Sequence, residues 1–289
     1  MITRLTVGPL AHARRWFRDG LRDETRRFVN SSAVVFAPHQ DDESLGCGGT
    51  IALKALAGTP VQLVFMTDGC TSHRRFMAPE ALAELRNSEA LRAAQVLGLW
   101  PGCVSFLNYP DSQLEHHHQS AVSKVIDVLN RRRPEEVFVP YRADGTPDHE
   151  ATFRIVYDAV QRVGFSVRVC EYPVWFWNRW PWVALTLEPN RGAIHEAWRS
   201  VRSGCGWTLL RTFRSGVRIG EVLARKRGAL DQHKSQTTRL VEGVGWPILS
   251  DVARGEFLQC FFQEFEAFHC WENVPAHGRN GQTPSNRQS

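Results

Sequence analysis

The stretch Ala33-Val34-Val35-Phe36-Ala37-Pro38-His39-Gln40-Asp41-Asp42-Glu43 decides how the rest of the chain is read. Five consecutive apolar residues fit a strand buried on both faces, as in a parallel sheet covered by helices. The run stops at a proline and turns into a dense polar cluster. Similar but less pure apolar runs follow at 61–66, 104–107, 137–139 and 167–170. Between them, Ala90, Ala93, Ala94 and Leu97 form an i, i+3, i+4, i+7 stripe closed by Gly98, and Val122, Val125, Ile126 and Leu129 repeat it. The alternation predicts an α/β fold, a Rossmann-like, mostly parallel sheet with helices on both faces.

Composition sets the outer limits. The 289 residues suffice for one large α/β domain, or one domain with an appendage. With 43% hydrophobic and 22% charged residues, global disorder is excluded. No run of about 18 apolar residues occurs, so no spanning helix is expected. The first residues carry arginines without an apolar core and do not read as a secretory signal. Seven scattered cysteines, an odd number without a CxxC, point to free thiols in a reducing, cytoplasmic setting. Of the 35 basic residues, all but Lys54, Lys124, Lys226 and Lys234 are Arg, and the net charge is +5. A solvated surface accounts for this; no nucleic-acid motif accompanies it, and no nucleic-acid partner is expected.

Three regions follow. Residues 1–30 read as an N-terminal extension with an amphipathic helix over about 11–29, capable of peripheral membrane contact. Residues 31–275 form the main domain, with a Trp-rich segment at 173–210. Residues 276–289 read as a disordered tail. Late in the domain, helices are expected from Gly220 through Lys226 toward Gln236, and from Gly255 to Phe268, where phenylalanines recur every three or four residues. Oligomeric state leaves no signal.

In open parallel sheets, ligands bind beyond the carboxyl ends of the strands. After the first apolar run come His39, Asp41 and Asp42; after the second, Thr67-Asp68-Gly69; after the third, Asn108 and Asp111; after the fourth, Asp144, Asp148 and His149. His39 and Asp42 can grip one ion at a strand-to-helix corner, and His149 would complete a set of two nitrogens and one oxygen. Three protein ligands plus water is the pattern of a catalytic zinc. Asp41 would be free to act as a base. On residues alone, a magnesium or phosphate site fits equally. Gly46-Cys47-Gly48-Gly49 is not a dinucleotide fingerprint. The run His116-His117-His118 reads as surface, because consecutive helical residues point in different directions. No GxSxG occurs.

Read together, PHQDDESLGCGGT, FMTDG, Tyr109-Pro110-Asp111-Ser112, Asp144-Gly145-Thr146-Pro147-Asp148-His149, Glu171-Tyr172-Pro173-Val174-Trp175 and Lys226 through Gln236 resemble, in order, the motifs of the LmbE/PIG-L deacetylase family. The resemblance spans about residues 32–237. It implies a zinc-dependent hydrolase (Zn2+ as cofactor) that removes acetyl from an N-acetylated amino sugar, as a small molecule or lipid-linked conjugate. Carried over, His39, Asp42 and His149 are the metal ligands, Asp41 the general base, and Asp111 a binder of sugar hydroxyls. Arg74 and Arg75 both qualify as an arginine facing substrate. From the residues alone, the two-residue spacing of Trp175 and Trp177 beyond the fifth apolar run places at least one of them on the rim of the cleft. Two departures stand out. Gln40 replaces the family's proline, and Thr146 stands where many members carry a histidine. His233 is the chosen catalytic substitute, with His73 or Asp41 itself as alternatives. The rivals are another amide metallohydrolase on the same scaffold and a catalytically impaired carbohydrate-binding relative.

Overall fold

A computed structural model describes residues 17–179, 182–183 and 211–274. The apolar runs become strands β2 (Ala33–Ala37), β3 (Val61–Thr67), β4 (Val104–Tyr109), β5 (Glu136–Pro140) and β6 (Val167–Tyr172). Helices α2 (Asp42–Leu56), α3 (Pro79–Leu97), α4 (His118–Arg132) and α5 (Pro147–Arg162) connect them. Two strands and one helix precede or flank this unit: β1 (Arg22–Asp23), α1 (Thr25–Asn30) and β7 (Ser215–Arg218). Then come α6 (Leu223–Leu230), α7 (Lys234–Thr237), α8 (Glu256–Phe261) and β8 (Phe265–Asn273).

The sheet order is β1-β7-β8-β6-β5-β2-β3-β4. All neighbours are parallel except β8, which runs antiparallel to β6 and β7. Strand alternation splits the core in two. Ala33, Val35 and Ala37 face one cluster with Leu63, Phe65 and Phe138, while Val34 and Phe36 face the other with Val122, Val125 and Ile155. Each fully buried Val or Phe of this kind contributes roughly 1.5–3 kcal/mol. Helices α2, α3 and α6 pack together, and α4 packs on α5.

Helix α2 carries the motif that matters most, and it is broken at Cys47, whose backbone leaves the helical region (φ −145°, ψ 18°). The break frees the amides of Gly49 and Thr50. Both donate to Glu266 of β8, at 2.7 and 2.8 Å, so a carboxylate from another element caps the second half of the helix. Lys226 of α6 neutralises Glu266 at 2.7 Å. The glycines here are required by close approach. A Cβ at Gly46 would sit 2.2 Å from the Tyr172 ring, and one at Gly49 would sit 2.6 Å from Ile219.

Three expected helices are corrected. The N-terminal helix over 11–29 is not continuous: within the described part, Arg22–Asp23 is a strand on β7, and only Thr25–Asn30 is helical. The amides of Arg22 and Glu24 bond Arg214 and Gly216, so pairing at the sheet edge overrides helix propensity. Residues 22–30 belong to the domain, and residues 1–16 lie outside the described part. The expected helix from Gly255 to Phe268 ends at Phe261, and β8 begins at Phe265. A strand there satisfies the free edges of both β6 and β7, and Phe268 still packs on Phe28 and Phe138. The helix expected toward Gln236 is interrupted between α6 and α7. Residues 276–289 and most of the Trp-rich segment lie outside the described part.

Candidate metal centre and active site

Strand β2 delivers His39 at its carboxyl end, and α2 begins three residues later with Asp42. Oδ2 of Asp42 accepts the backbone N–H of His39 at 2.9 Å and lies 3.3 Å from His39 Nδ1. From two strands' distance in sequence, the first turn of α5 brings in His149. Its Nε2 lies 3.2 Å from the same oxygen, and the two imidazole rings are 5.5 Å apart. One ligand atom from each of His39, Asp42 and His149 falls within 4.8 Å of the others.

The chemistry of this trio fits a cation. The ring nitrogens of His149 are buried and make no hydrogen bond, although carboxylate oxygens stand 2.8 Å from Nδ1 and 3.2 Å from Nε2. Burial opposes charge on His149, but Asp42 and Asp144 outweigh it and push its pKa up to about 9. Burial likewise opposes charge on Asp42, yet His149 and His39 hold its carboxyl well below the usual range. Such a site demands positive charge between its carboxylates. Two nitrogens and one oxygen are a donor set that suits zinc.

Outer carboxylates orient the inner donors. Nε2 of His39 is 3.3 Å from both Asp111 Oδ1 and Asp148 Oδ2. A proton held on that side leaves Nδ1 to face the centre. Asp148 is fixed by the amides of Ser112 (2.6 Å) and Leu114 (3.3 Å). Asp111 is fixed by the amide and hydroxyl of Thr71 at 2.9 and 2.8 Å. Its carboxylate therefore lies on the cavity wall but is turned to His39 and Thr71. Asp144 faces His149 Nδ1 and also accepts the amides of Val174, Trp175 and Phe176 at 2.9–3.0 Å. Sequence reading assigned no role to Asp144 or Asp148, although both stand inside the quoted motif; their work depends on partners tens of residues away.

Asp41 stands beside the trio without belonging to it. Its backbone is held at φ 142°, a conformation that L-residues rarely adopt. Strain of this kind costs about 1–3 kcal/mol and persists only where the surroundings enforce it. Here Glu43 Oε2 accepts the Asp41 amide at 3.0 Å, and Arg86 approaches its carboxylate at 3.5 Å. Burial raises the Asp41 pKa to about 6, against the pull of Arg86. The replacement Gln40 is also built in: its amide nitrogen donates to Thr67 O and Asn87 Oδ1, both at 3.0 Å.

His39, Asp41, Asp42, Asp111 and Asp148 line a cavity of about 410 Å3, and His149 is fully buried beside Asp42. Trp175 lines the cavity, and so does Thr146, whose hydroxyl is buried without a hydrogen-bond partner. Four residues named from the sequence lie outside this lining. Arg74 and Arg75 are exposed and do not line the cavity; the arginine that does is Arg86, bonded to Gly69 O, Gln40 O and Ser72. Trp177 is buried against Phe17 and Trp182. Residues 175–177 form a 3-10 turn, and three residues per turn send Trp175 and Trp177 different ways. His233 is fully buried outside the cavity lining, with Nε2 2.8 Å from Glu43 Oε1. Through Glu43 it supports the Asp41 backbone. In the histidine run, His118 pairs with Asp158 at 2.8 Å.

The sequence of this site matches the PIG-L family model, GlcNAc-PI de-N-acetylase, over residues 34–160. Residues 34–160 thus resemble the PIG-L family. A relative from Bacillus cereus, named a probable N-acetyl-alpha-D-glucosaminyl L-malate deacetylase 2, is 28% identical over 215 residues, covering 72% of this chain and 84% of its own. Among solved structures, N,N'-diacetylchitobiose deacetylase from Pyrococcus horikoshii is similar with a TM-score of 0.59 at 20% identity, covering 92% and 94% of the two chains. A 4-carboxy-2-hydroxymuconate hydratase from Pseudomonas putida shares the fold with a TM-score of 0.53 at 18% identity, covering 89% and 99%. This fold is thus shared by proteins named for different reactions.

Proposed function

We propose that this chain is a zinc-dependent N-deacetylase that releases acetate from an N-acetylated amino sugar or its conjugate. The observation that carries the reading is the convergence of donor atoms from His39, Asp42 and His149 at a sugar-sized cavity that His39, Asp41 and Asp42 line. His39, Asp42 and His149 would hold the metal. A zinc ion bound there supplies a Lewis acid for the amide carbonyl and lowers the pKa of a bound water.

The residues do the rest. Asp41 accepts the proton of the attacking water and, in the absence of a histidine at Thr146, returns it to the departing amine. Arg86 and Glu43 keep the Asp41 carboxylate aimed, and Asp148 with Asp111 hold the His39 ring. Asp111, Ser112 and Thr71 present the polar side of the cavity to the sugar. The compound acted on is a small molecule or a lipid-linked sugar. We read the protein as cytoplasmic, on its described free cysteines. No helix among the described residues is long and apolar enough to cross a membrane. Phe17 and Phe28, which fall within the expected N-terminal helix, are buried in the core.

Incubating the purified, zinc-loaded chain with a panel of N-acetyl sugars and measuring acetate tests the reading. Acetate release that stops with a chelator and returns with zinc supports it. A second reading, another reaction on the same scaffold, draws on the hydratase neighbour and on Thr146. It wins if no acetate appears while other amides or alkenes are turned over.

A further inference from the structure

One wall of the cavity is hydrocarbon. Trp175 stands just beyond β6, and Pro247, Ile248, Leu249 and Val252 face the same space from the segment between α7 and α8. Polar groups, among them His39, Asp41, Asp111 and Arg86, line the rest of the same cavity. Both halves of the apolar wall are fixed in place. The Trp175 ring stacks on Phe257 of α8 with centroids 5.1 Å apart, and its amide is held by Asp144 at 2.9 Å. Trp246 stacks on His73 at 4.2 Å and donates its indole N–H to Ser235 O at 2.9 Å. Asp251 accepts the Ile248 amide at 2.9 Å and pairs with Arg239 at 2.6 Å.

The polar groups of this segment are therefore engaged with one another, and what faces the cavity is side-chain carbon. Trp175, Ile248 and Val252 remain partly exposed and Pro247 exposed, so covering them removes apolar surface from water. A ligand made only of hydroxyls and carboxylates would instead bury polar groups against carbon, which is unfavourable without hydrogen bonds. We infer that the substrate is an amino sugar bearing an apolar substituent that lies on the Trp175–Ile248–Val252 wall while its amide faces His39, Asp42 and His149. The inference rests on the deacetylase reading above. It separates this chain from the relative named for a malate conjugate.

The apolar group can be the aglycone or the N-acyl chain, and two substrate series distinguish them. Methyl, butyl and hexyl glycosides of N-acetylglucosamine form one; acetyl, butyryl and hexanoyl glucosamine form the other. With the full, zinc-loaded chain, KM should fall roughly two- to fourfold per added methylene in one series, as expected for buried CH2 groups. Ile248→Ser should flatten that slope. Calorimetric binding of the same compounds to Asp41→Asn should show the slope without turnover. KM and affinity independent of chain length in both series overturn the inference. Failure of every compound to release its acid sinks the hydrolytic reading alone, because the calorimetric slope still decides the wall.

Discussion

Asp41 and Asp42 are neighbours in contrasting surroundings, and the opposite duties proposed for them rest on that contrast. Asp42 sits between two imidazoles with its carboxyl held low, while Asp41 faces Arg86 in a strained backbone with its pKa raised to about 6. Asp41→Asn is therefore expected to retain zinc, measured by elemental analysis, and to lose about 10²–10⁴-fold in turnover, the range for a removed general base. Loss of metal together with activity would mean that base and ligand had been exchanged. At this scale the sequence was most readable where chemistry is contiguous, as in His39 to Asp42 and Asp144 to His149. It failed where a role depends on remote partners. Nothing local tells that His233 would meet Glu43, or that Arg86 rather than Arg74 or Arg75 would reach the cavity. The departure of Trp177 from Trp175 depends on a 3-10 turn held by Asp144, 30 residues upstream of Val174.

At the scale of elements, two charged contacts tie late segments to the catalytic half. The buried Lys226–Glu266 pair joins α6 to β8 and caps the broken helix α2. Removing one partner leaves the other charge uncompensated, so Glu266→Gln should cost about 3–5 kcal/mol in denaturant unfolding. The double variant Lys226→Met with Glu266→Gln should recover part of that loss; no recovery would show that the helix cap, not the charge, dominates. The edge strand β1 gives a pH-dependent case. Burial opposes the charge of Glu24, but Ser215 and Arg168, at 2.7 and 2.6 Å, outweigh it and hold its pKa below 4.5. A carboxyl lowered on folding adds stability above its unfolded pKa, and that stability is lost as pH falls through the folded value. The stability gap between the parent and Glu24→Gln should thus be present at pH 7 and shrink below about pH 4.5. A gap unchanged by acid would remove Glu24 from the edge contacts that matter. The central strands were legible because apolar runs in a parallel sheet have few alternatives. The last strand was not: phenylalanines at 257, 261, 265 and 268 satisfy helical spacing, and only the open edges of β6 and β7 decide otherwise.

Over the whole molecule, the metal trio links the ends of β2 and β5 through α2 and α5, so a cation bound there stabilises the central sheet as a unit. A ligand that binds only the folded state adds about 2.7 kcal/mol at a hundredfold excess over Kd. For a domain of this size, roughly 2–4 °C of Tm per kcal/mol follows, or about 5–10 °C in all. Zinc should raise Tm by this amount in the chelator-treated full chain, and magnesium by much less, since two imidazole nitrogens suit zinc better than an oxygen-seeking ion. The comparison that decides the site uses two variants. His39→Ala with His149→Ala should abolish the shift. His116→Ala with His117→Ala should keep it, because those side chains belong to no candidate metal-donor group among the described residues. If the second variant loses the shift and the first keeps it, zinc binds the surface histidine run, and the trio of His39, Asp42 and His149 is not the metal centre.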